Sequence, residues 1–360
     1  MRNQKFNPCI EVDLKKLEQN TRVIVDMAEA NGMTVAGVVK ACGGEPLVAK
    51  GMLRGGVKAL ADSRLSNLQV LRKAIPEAEL WLLRLPQLSE VDELVQVADV
   101  VLVSHVETAK ALGEAALGAE GTIRIILMVD VGDLREGVWP DEAVDVAKEM
   151  ALLSGVELAG VGTNLACYGG VIPDEENMKT LLGVGEKVER ALGKKLQLVS
   201  GGNSANLNLL MEGGMPRGIN NLRVGEALLL GCEAARREPI PGAYQDAFTL
   251  QAEVIEVAAK PSVPIGTIGQ DAFGGVPTFT DEGMRKRIIL AVGQQDTVPD
   301  GLTPRHEGCR VLGASGDHLI VDVTESDREW KLGEIFSFGI NYAALVRGMT
   351  SSYVSKRYLD

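Results

Sequence analysis

The sequence predicts an α/β protein with a (β/α)₈ TIM barrel followed by a smaller all-β domain. From about residue 10 to residue 235, short β-branched apolar runs alternate with amphipathic helical stretches, as in repeated βα units. After Pro239-Ile-Pro-Gly242, proline and glycine punctuate short alternating runs, which is all-β patterning. A doubly wound open sheet is the alternative, but no Gly-x-Gly-x-x-Gly opens a helix after the first strand. The alternation therefore favours a closed barrel.

The individual elements follow the chain in order. Barrel strands are predicted at 35–39, near 59, at 79–83, 100–103, 123–129, 158–161 and 196–199, and near 221. Helices are predicted at 13–30, from the apolar spacing of Leu14, Leu17 and Ile24, and at 141–153, which opens on Pro140. Strands of the second domain are predicted at 249–257, 287–292, 309–312, 318–323 and 334–338. The domains are therefore predicted at 1–240 and 241–360.

Composition excludes several classes of protein. A chain of 360 residues with 46% hydrophobic residues has enough apolar material for two domains. Its net charge of -12 argues against nucleic-acid binding. The polar amino terminus and the lack of a long apolar run predict a cytoplasmic protein without a membrane segment. The five scattered cysteines and three histidines lack zinc-site spacing, so we predict no metal.

Lys40 is the first candidate catalytic residue. It ends the apolar run 34–39 and precedes Gly43-Gly44, so a strand delivers its ammonium group to the carboxyl-terminal rim of the barrel, where active sites assemble. A lysine that is partly desolvated there has a lowered pKa, and its free amine can condense with the carbonyl group of a cofactor. The alternative is a strand-end lysine that reaches solvent or forms a salt bridge.

Other polar groups follow predicted strands at the same rim. The turn Ser200-Gly-Gly-Asn-Ser204 offers backbone N–H groups and a hydroxyl to a phosphate, although such turns are also common without ligands. Arg223, followed by Gly225, binds a ligand or forms a structural salt bridge. Asp130 and Arg135 follow another strand, where they bind a ligand or pair with each other. Together these groups fit a phosphorylated aldehyde cofactor, for which pyridoxal 5'-phosphate (PLP) is the natural candidate.

At these motifs the chain resembles the alanine racemase family of fold type III PLP enzymes, and most closely its alanine/ornithine racemase branch. Six ordered blocks carry the resemblance: Val38-Val-Lys40-Ala, Asn203-Ser204, Arg223-x-Gly225, Leu250-Gln-Ala-Glu-Val254, Gly313-Ala-Ser-Gly-Asp317-His and Ser352-Tyr353-Val-Ser-Lys-Arg357. The resemblance implies that Lys40 holds PLP covalently and that Arg223 faces the pyridine nitrogen. It implies further cofactor contacts from Asn203, Ser204, the backbone of Gly225 and Glu226, and Tyr353. Substrate contacts are implied for Arg135, Asn164 and Asp317.

The chain also departs from the family pattern at positions that matter for proton transfer. Gly43-Gly44 replaces a tyrosine, Met128 a modified lysine, Asn164 a histidine, and Phe273 the tyrosine that serves as the acid–base group on the opposite cofactor face. Racemisation requires proton removal on one face and proton return on the other. We predict Asp271 as the second group, with a turn-stabilising role as its alternative. Cys42, Tyr168 and His318 are further candidates.

The predicted function is a PLP-dependent racemase that interconverts the L and D forms of an amino acid. Carboxylates at Glu226, Asp271, Asp296 and Asp317 favour a basic substrate such as ornithine or lysine. The alternatives are a PLP-dependent decarboxylase of the same fold, a non-catalytic PLP carrier and a cofactor-free aldolase. The resemblance further implies a homodimer with shared active sites.

Overall fold

The computed structural model describes residues 8–360, which form two compact units. One unit is Lys15–Tyr244, and the other combines residues 8–14 with Gln245–Asp360. The first described strand, β1 (Cys9–Asp13), belongs to the second unit. Within residues 8–360, no helix is both long enough and apolar enough to cross a membrane.

The first unit is a closed parallel barrel, as the sequence predicts. Its eight strands pair in sequence order and close between the first and the last, with Ala36 opposite Arg223. The strands are β2 (Thr34–Val38), β3 (Ala59–Asp62), β4 (Leu80–Leu82), β5 (Val100–Val103), β6 (Ile123–Met128), β7 (Val156–Gly162), β8 (Leu198–Ser200) and β9 (Asn221–Val224). The helices are α1 (Leu14–Ala30), α2 (Pro46–Arg54), α3 (Leu65–Ala74), α4 (Val91–Leu94), α5 (Val106–Gly118), α6 (Ala143–Ala151), α7 (Glu175–Leu192), α8 (Asn206–Met211) and α9 (Glu226–Leu230).

Side chains from neighbouring strands fill the barrel interior. Trp81 on β4 packs in a buried cluster with the small residues Ala36, Ala59 and Ala61 of β2 and β3, and Met128 of β6 belongs to the same cluster. Small residues opposite a large one allow the interior to fill without voids. This solid core leaves the carboxyl ends of the strands as the platform on which loops can assemble a site.

Over its described residues, the second unit is a largely antiparallel sheet with one α-helix. Its elements are β10 (Phe248–Pro261), β11 (Met284–Leu290), β12 (Leu302–Pro304), β13 (Arg310–Ala314), β14 (Leu319–Asp322), β15 (Ile335–Ile340), α10 (Tyr342–Thr350) and β16 (Ser355–Leu359). The strand order is β12-β15-β10-β11-β14-β13, with β1 paired to β10 and to β16. Phe248, Phe336 and Phe338 are fully buried in this unit.

The observed division differs from the predicted ranges 1–240 and 241–360 at the amino terminus. Strand β1 pairs antiparallel with β10 and parallel with β16, so residues 9–13 extend the sheet of the second unit. The local sequence does not distinguish a strand of the second unit from the first strand of a barrel, because a short apolar run is typical of both.

Candidate active site

Lys40 lies at the mouth of the barrel, directly beyond the end of β2. It is the first residue of a single 3₁₀ turn, in which the next two residues are buried while Lys40 itself is exposed. Gly43 and Gly44 then adopt left-handed conformations with φ of 62° and 70°. A Cβ at Gly44 would lie 2.7 Å from the Cβ of Asn67, so only glycine allows the chain to turn here. The local sequence thus presents one amine to the mouth.

The Lys40 ammonium is destabilised by its surroundings. The residue is exposed, yet desolvation of its ammonium group by surrounding protein atoms lowers its pKa. The nearby Arg135 lowers the pKa further, whereas Cys167 and Asp62 act in the opposite direction. Lys40 therefore holds its proton less tightly than an ordinary lysine, which makes the free amine more available as a nucleophile.

Asp62, which sequence reasoning missed, ends the neighbouring strand β3. One carboxylate oxygen accepts hydrogen bonds from the backbone N–H of Arg64 (2.9 Å) and the side-chain amide of Asn67 (3.0 Å). The other oxygen is buried without a hydrogen-bond partner. Burial raises the pKa of Asp62, and Lys40 lowers it in part. The sequence feature that could have revealed Asp62 is an acidic residue at the end of a wholly buried strand, Ala59–Asp62.

Arg223 is a buried cation on β9, the strand that closes the barrel against β2. Only 4% of its surface is exposed. Its guanidinium group donates to the hydroxyl of Ser200 and, over 2.6 Å, to the carbonyl oxygen of Thr163. Burial lowers the pKa of Arg223 to about 10, so it stays protonated at neutral pH. The predicted salt-bridge alternative does not describe these contacts, because the Ser200 hydroxyl and the Thr163 carbonyl oxygen are both neutral.

Two of the predicted phosphate-binding groups, Ser204 and the backbone of Gly225, come together where the loops after β8 and β9 meet. The hydroxyl of Ser204 accepts hydrogen bonds from the N–H groups of Gly225 and Ala227, each over 3.2 Å. A Cβ at Gly225 would lie 3.0 Å from the Cβ of Val38, which explains the glycine. The carboxylate of Glu226 pairs with Arg237, and burial raises its pKa.

A chain of amide contacts links the loops after β7 and β8. Asn203 donates to the side-chain oxygen of Asn164 (2.9 Å) and to the carbonyl of Leu165 (2.8 Å). Asn164 in turn donates to the sulfur of Cys167 over 2.9 Å. Cys167 is exposed in this loop, and sequence reasoning did not select it.

The loop after β6 contributes Arg135, but its predicted pairing with Asp130 does not form. Arg135 instead pairs with the adjacent Glu136. Asp130 accepts from the backbone N–H groups of Gly132 (2.8 Å) and Leu134 (3.2 Å) and so shapes its own turn. Because two local backbone N–H groups already satisfy its carboxylate, Asp130 does not require Arg135 as a partner.

Asp133, also missed from sequence, organises the loop after β7. It is buried, and its carboxylate accepts from the backbone N–H groups of Cys167 (3.4 Å), Tyr168 (2.9 Å) and Val171 (3.3 Å). Its partners lie more than thirty positions away, so no local pattern could have shown the interaction.

Three predicted site residues belong to the second unit. The carboxylate of Asp271 accepts from the backbone N–H groups of Phe273 (2.8 Å) and Gly275 (2.9 Å), a turn-stabilising arrangement. Asp317 is exposed in the turn between β13 and β14, and Tyr353 is 70% exposed.

Comparison with known proteins identifies the family. Residues 12–232 match the alanine racemase N-terminal domain. The chain is 42% identical to a lysine racemase of Thermotoga maritima, covering 98% of each chain, and 42% identical to an ornithine racemase of Acetoanaerobium sticklandii, covering 98% of this chain and 99% of the other. The solved structure of an alanine racemase from Clostridium difficile superposes with a TM-score of 0.75 at 19% identity, covering 99% of this chain and 97% of that one. This chain therefore belongs to the alanine racemase family.

Proposed function

We propose that this protein is a PLP-dependent racemase that interconverts the L and D forms of a basic amino acid, ornithine or lysine. The observation that carries the proposal is Lys40, an amine with a lowered pKa at the barrel mouth of a chain in the alanine racemase family. PLP is the cofactor of this family. The substrate class is supported by the two relatives named lysine racemase and ornithine racemase, each 42% identical over nearly the whole chain.

The residues of the mouth fit PLP. Lys40 supplies the amine that binds its aldehyde. The Ser204 hydroxyl already accepts two backbone N–H groups, so its own hydrogen is free for a phosphate oxygen, beside the side-chain-free backbone of Gly225. Arg223 supplies a buried cationic donor for the pyridine nitrogen. When bound, PLP withdraws electrons from the substrate Cα and makes its proton acidic.

The proposed roles follow from the chemistry of each side chain. Lys40 moves a proton at its ε-nitrogen, and its lowered pKa makes the free amine more available as a base than that of an ordinary lysine. Arg223 does not readily release its proton, so it limits electron withdrawal at the pyridine ring and favours return of the proton to Cα. Arg135 and Asn164 are the proposed substrate contacts in the barrel unit.

The second unit is proposed to complete the site. Tyr353 is proposed for the phosphate, Asp317 for the substrate, and Asp271 is the sequence-based candidate for the second proton-transfer group. We further propose a cytoplasmic homodimer in which these residues come from the partner subunit. If so, mixing a Lys40→Ala variant with a Tyr353→Ala variant under conditions of subunit exchange restores part of the lost activity, since mixed dimers contain one intact site. Retention of full activity by a monomer would contradict shared sites.

The function is tested with a panel of L-amino acids in deuterated water, following Cα deuteration and D-enantiomer formation together. We expect deuteration with inversion, fastest for ornithine or lysine and slow for alanine. Release of carbon dioxide identifies a decarboxylase, and PLP binding without Cα exchange on any amino acid identifies a carrier. Borohydride reduction of the PLP-loaded protein, followed by peptide mapping, is expected to label Lys40. Labelling elsewhere would overturn the assignment of Lys40.

A further inference from the structure

Inversion at Cα requires a second proton-transfer group besides Lys40, and the structure offers one that sequence reasoning overlooked. Phe273, which the family resemblance sets at the position of the tyrosine, has a side chain without an exchangeable proton. Asp271 is already engaged by two backbone N–H groups of its own turn. Cys42 is buried, and burial raises its pKa well above the usual value, so it stays a protonated thiol that cannot accept a proton. Cys167, by contrast, is exposed in the loop after β7.

We infer that the thiol of Cys167 is the second proton-transfer group of the reaction, acting against Lys40. The inference rests on the proposed racemase function. In the closed barrel, β7 lies three strands from β2 around the ring of eight. Lys40 and Cys167 therefore enter the mouth from different walls, as a reaction that uses both faces of a flat cofactor requires.

The surroundings of the sulfur suit a proton acceptor. The amide of Asn164 donates to it over 2.9 Å, and that of Asn203 lies 3.6 Å away. The same sulfur interacts electrostatically with Lys40, Arg135 and Arg223. The sulfur therefore faces two hydrogen-bond donors as well as the cationic groups of the mouth.

The backbone holds the thiol in place at some conformational cost. Ala166, the residue before Cys167, has a φ of 54°, which is unfavourable for a residue with a Cβ. The buried carboxylate of Asp133 fixes the following turn through three backbone N–H groups. A Cβ at Gly169 would lie 2.6 Å from the carbonyl oxygen of Asp133, so the close packing of the two loops requires glycine. Strain that is held by its surroundings in this way is typical of functional loops.

Lys40 and Cys167 together balance the protons of the proposed reaction. For one enantiomer, the Cys167 thiolate takes the Cα proton and becomes a thiol, while the Lys40 ammonium returns its proton to the opposite side of Cα and becomes an amine. For the other enantiomer the two groups exchange roles. One proton leaves the substrate and one enters it, so no oxidant or further reactant is needed, and exchange with water resets the pair after each turnover.

The main test compares Cys167→Ser and Cys167→Ala with wild type in deuterated water, starting separately from each enantiomer of the best substrate. We expect inversion to fall by ~10²–10⁴-fold in both directions. Cα deuteration should persist for only one enantiomer, the one whose proton faces Lys40, because that residue still exchanges. A merely structural role for Cys167 would slow deuteration of both enantiomers alike. Cys309→Ser, a partly exposed thiol of the second unit, is the matched control and should behave as wild type.

A second readout does not depend on turnover. In the cofactor-free protein, iodoacetamide should alkylate Cys167, and addition of PLP should slow that alkylation while leaving Cys309 unaffected, as measured by peptide mapping. Absence of protection by PLP would overturn the inference. A wild-type rate of inversion in Cys167→Ser would also overturn it. So would Cα deuteration of only one enantiomer in Asp271→Asn, because that result would assign the second proton transfer to Asp271. If wild type racemises no amino acid, the proposed function fails, and the alkylation result still decides whether this thiol faces the cofactor.

Discussion

Charged side chains are destabilised by their surroundings in the barrel mouth but stabilised by them in the second unit. In the mouth, desolvation is the largest influence on the pKa values of Lys40, Arg223 and Asp62, and it favours the neutral form of each side chain. In the second unit, burial also raises the pKa of Asp322, but hydrogen bonds from Thr324 and Arg285 outweigh it and lower that pKa to about 2. An aspartate thus has a raised pKa in the mouth (Asp62) and a lowered pKa in the second unit (Asp322).

The difference lies in how completely each charge is partnered. One oxygen of Asp322 accepts from Thr324, and the other receives Arg285 over 2.8 Å and Arg310 over 3.5 Å. Asp62 in the mouth has one buried oxygen with no partner at all. A fully partnered carboxylate stabilises the fold, whereas incompletely solvated charges of the mouth hold free energy that a cofactor and substrate can release on binding.

The largest expected effect separates catalysis from stability at Lys40. Lys40→Met should lower racemisation by ~10⁴-fold or more, because both covalent attachment and proton transfer are lost. The free energy of unfolding of the cofactor-free protein should not fall, because the ammonium is destabilised in the folded state. Chiral chromatography and urea denaturation measure the two quantities. Lys58→Met, just before β3, is the control and should keep its activity. A large loss of stability in Lys40→Met would show that the ammonium group stabilises the folded protein.

The opposite outcome is expected at Asp322. Asp322→Asn removes the negative charge between Arg285 and Arg310, and breaking a largely buried pair of this kind costs ~3 kcal/mol. The free energy of unfolding should fall by that order in urea titrations, with KM for the amino acid unchanged when the variant is folded. Glu325→Gln is the control, because its contact with Arg285 is mostly exposed and should contribute little. Equal losses in the two variants would contradict the assignment of stability to Asp322.

The contrast between the regions also marks where sequence reasoning succeeds. All eight barrel strands were predictable, because continuous β-branched runs such as 100–103 and 123–128 signal buried parallel strands. In the second unit, β12 was missed because it spans three residues and ends in proline, and α10 because it is one short helix among strands. Short elements carry too few residues for a periodic pattern to emerge.

The site shows the same limit. The positions of Lys40, Ser204 and Arg223 at the barrel rim were predictable, because each lies at or just beyond the end of a strand and a barrel brings all strand ends to one rim. The contacts of Asp133 and Cys167 were not predictable, since they join loops that are distant in sequence. Sequence spacing reports which end of the barrel a residue occupies, whereas its hydrogen-bond partners depend on how the loops pack.

A smaller effect concerns acid stability. Because the folded pKa of Asp322 is about 2 and the ordinary value is 3.8, its stabilisation is complete above pH 3.8 and is lost as the pH falls toward 2. The shift corresponds to ~2 kcal/mol. The difference in unfolding free energy between wild type and Asp322→Asn should therefore be constant near neutral pH and should narrow below pH 3.8. A difference that widens in acid would show that the carboxylate is not stabilised in the folded state.

The smallest effect is expected at Asp62. Asp62→Asn retains the oxygen that accepts from Arg64 and Asn67 and places an uncharged amide where the other oxygen has no partner. The free energy of unfolding should stay within ~1 kcal/mol of wild type and should not decrease, because a poorly solvated charge has been removed. Since Asp62 raises the pKa of Lys40, the variant should shift that pKa further down, and amine-directed labelling of Lys40 in the cofactor-free protein should begin at lower pH. Asp26→Asn on the exposed face of α1 is the control and should leave the labelling profile unchanged. An upward shift of the Lys40 pKa in Asp62→Asn would show that Asp62 does not stabilise the protonated form of Lys40.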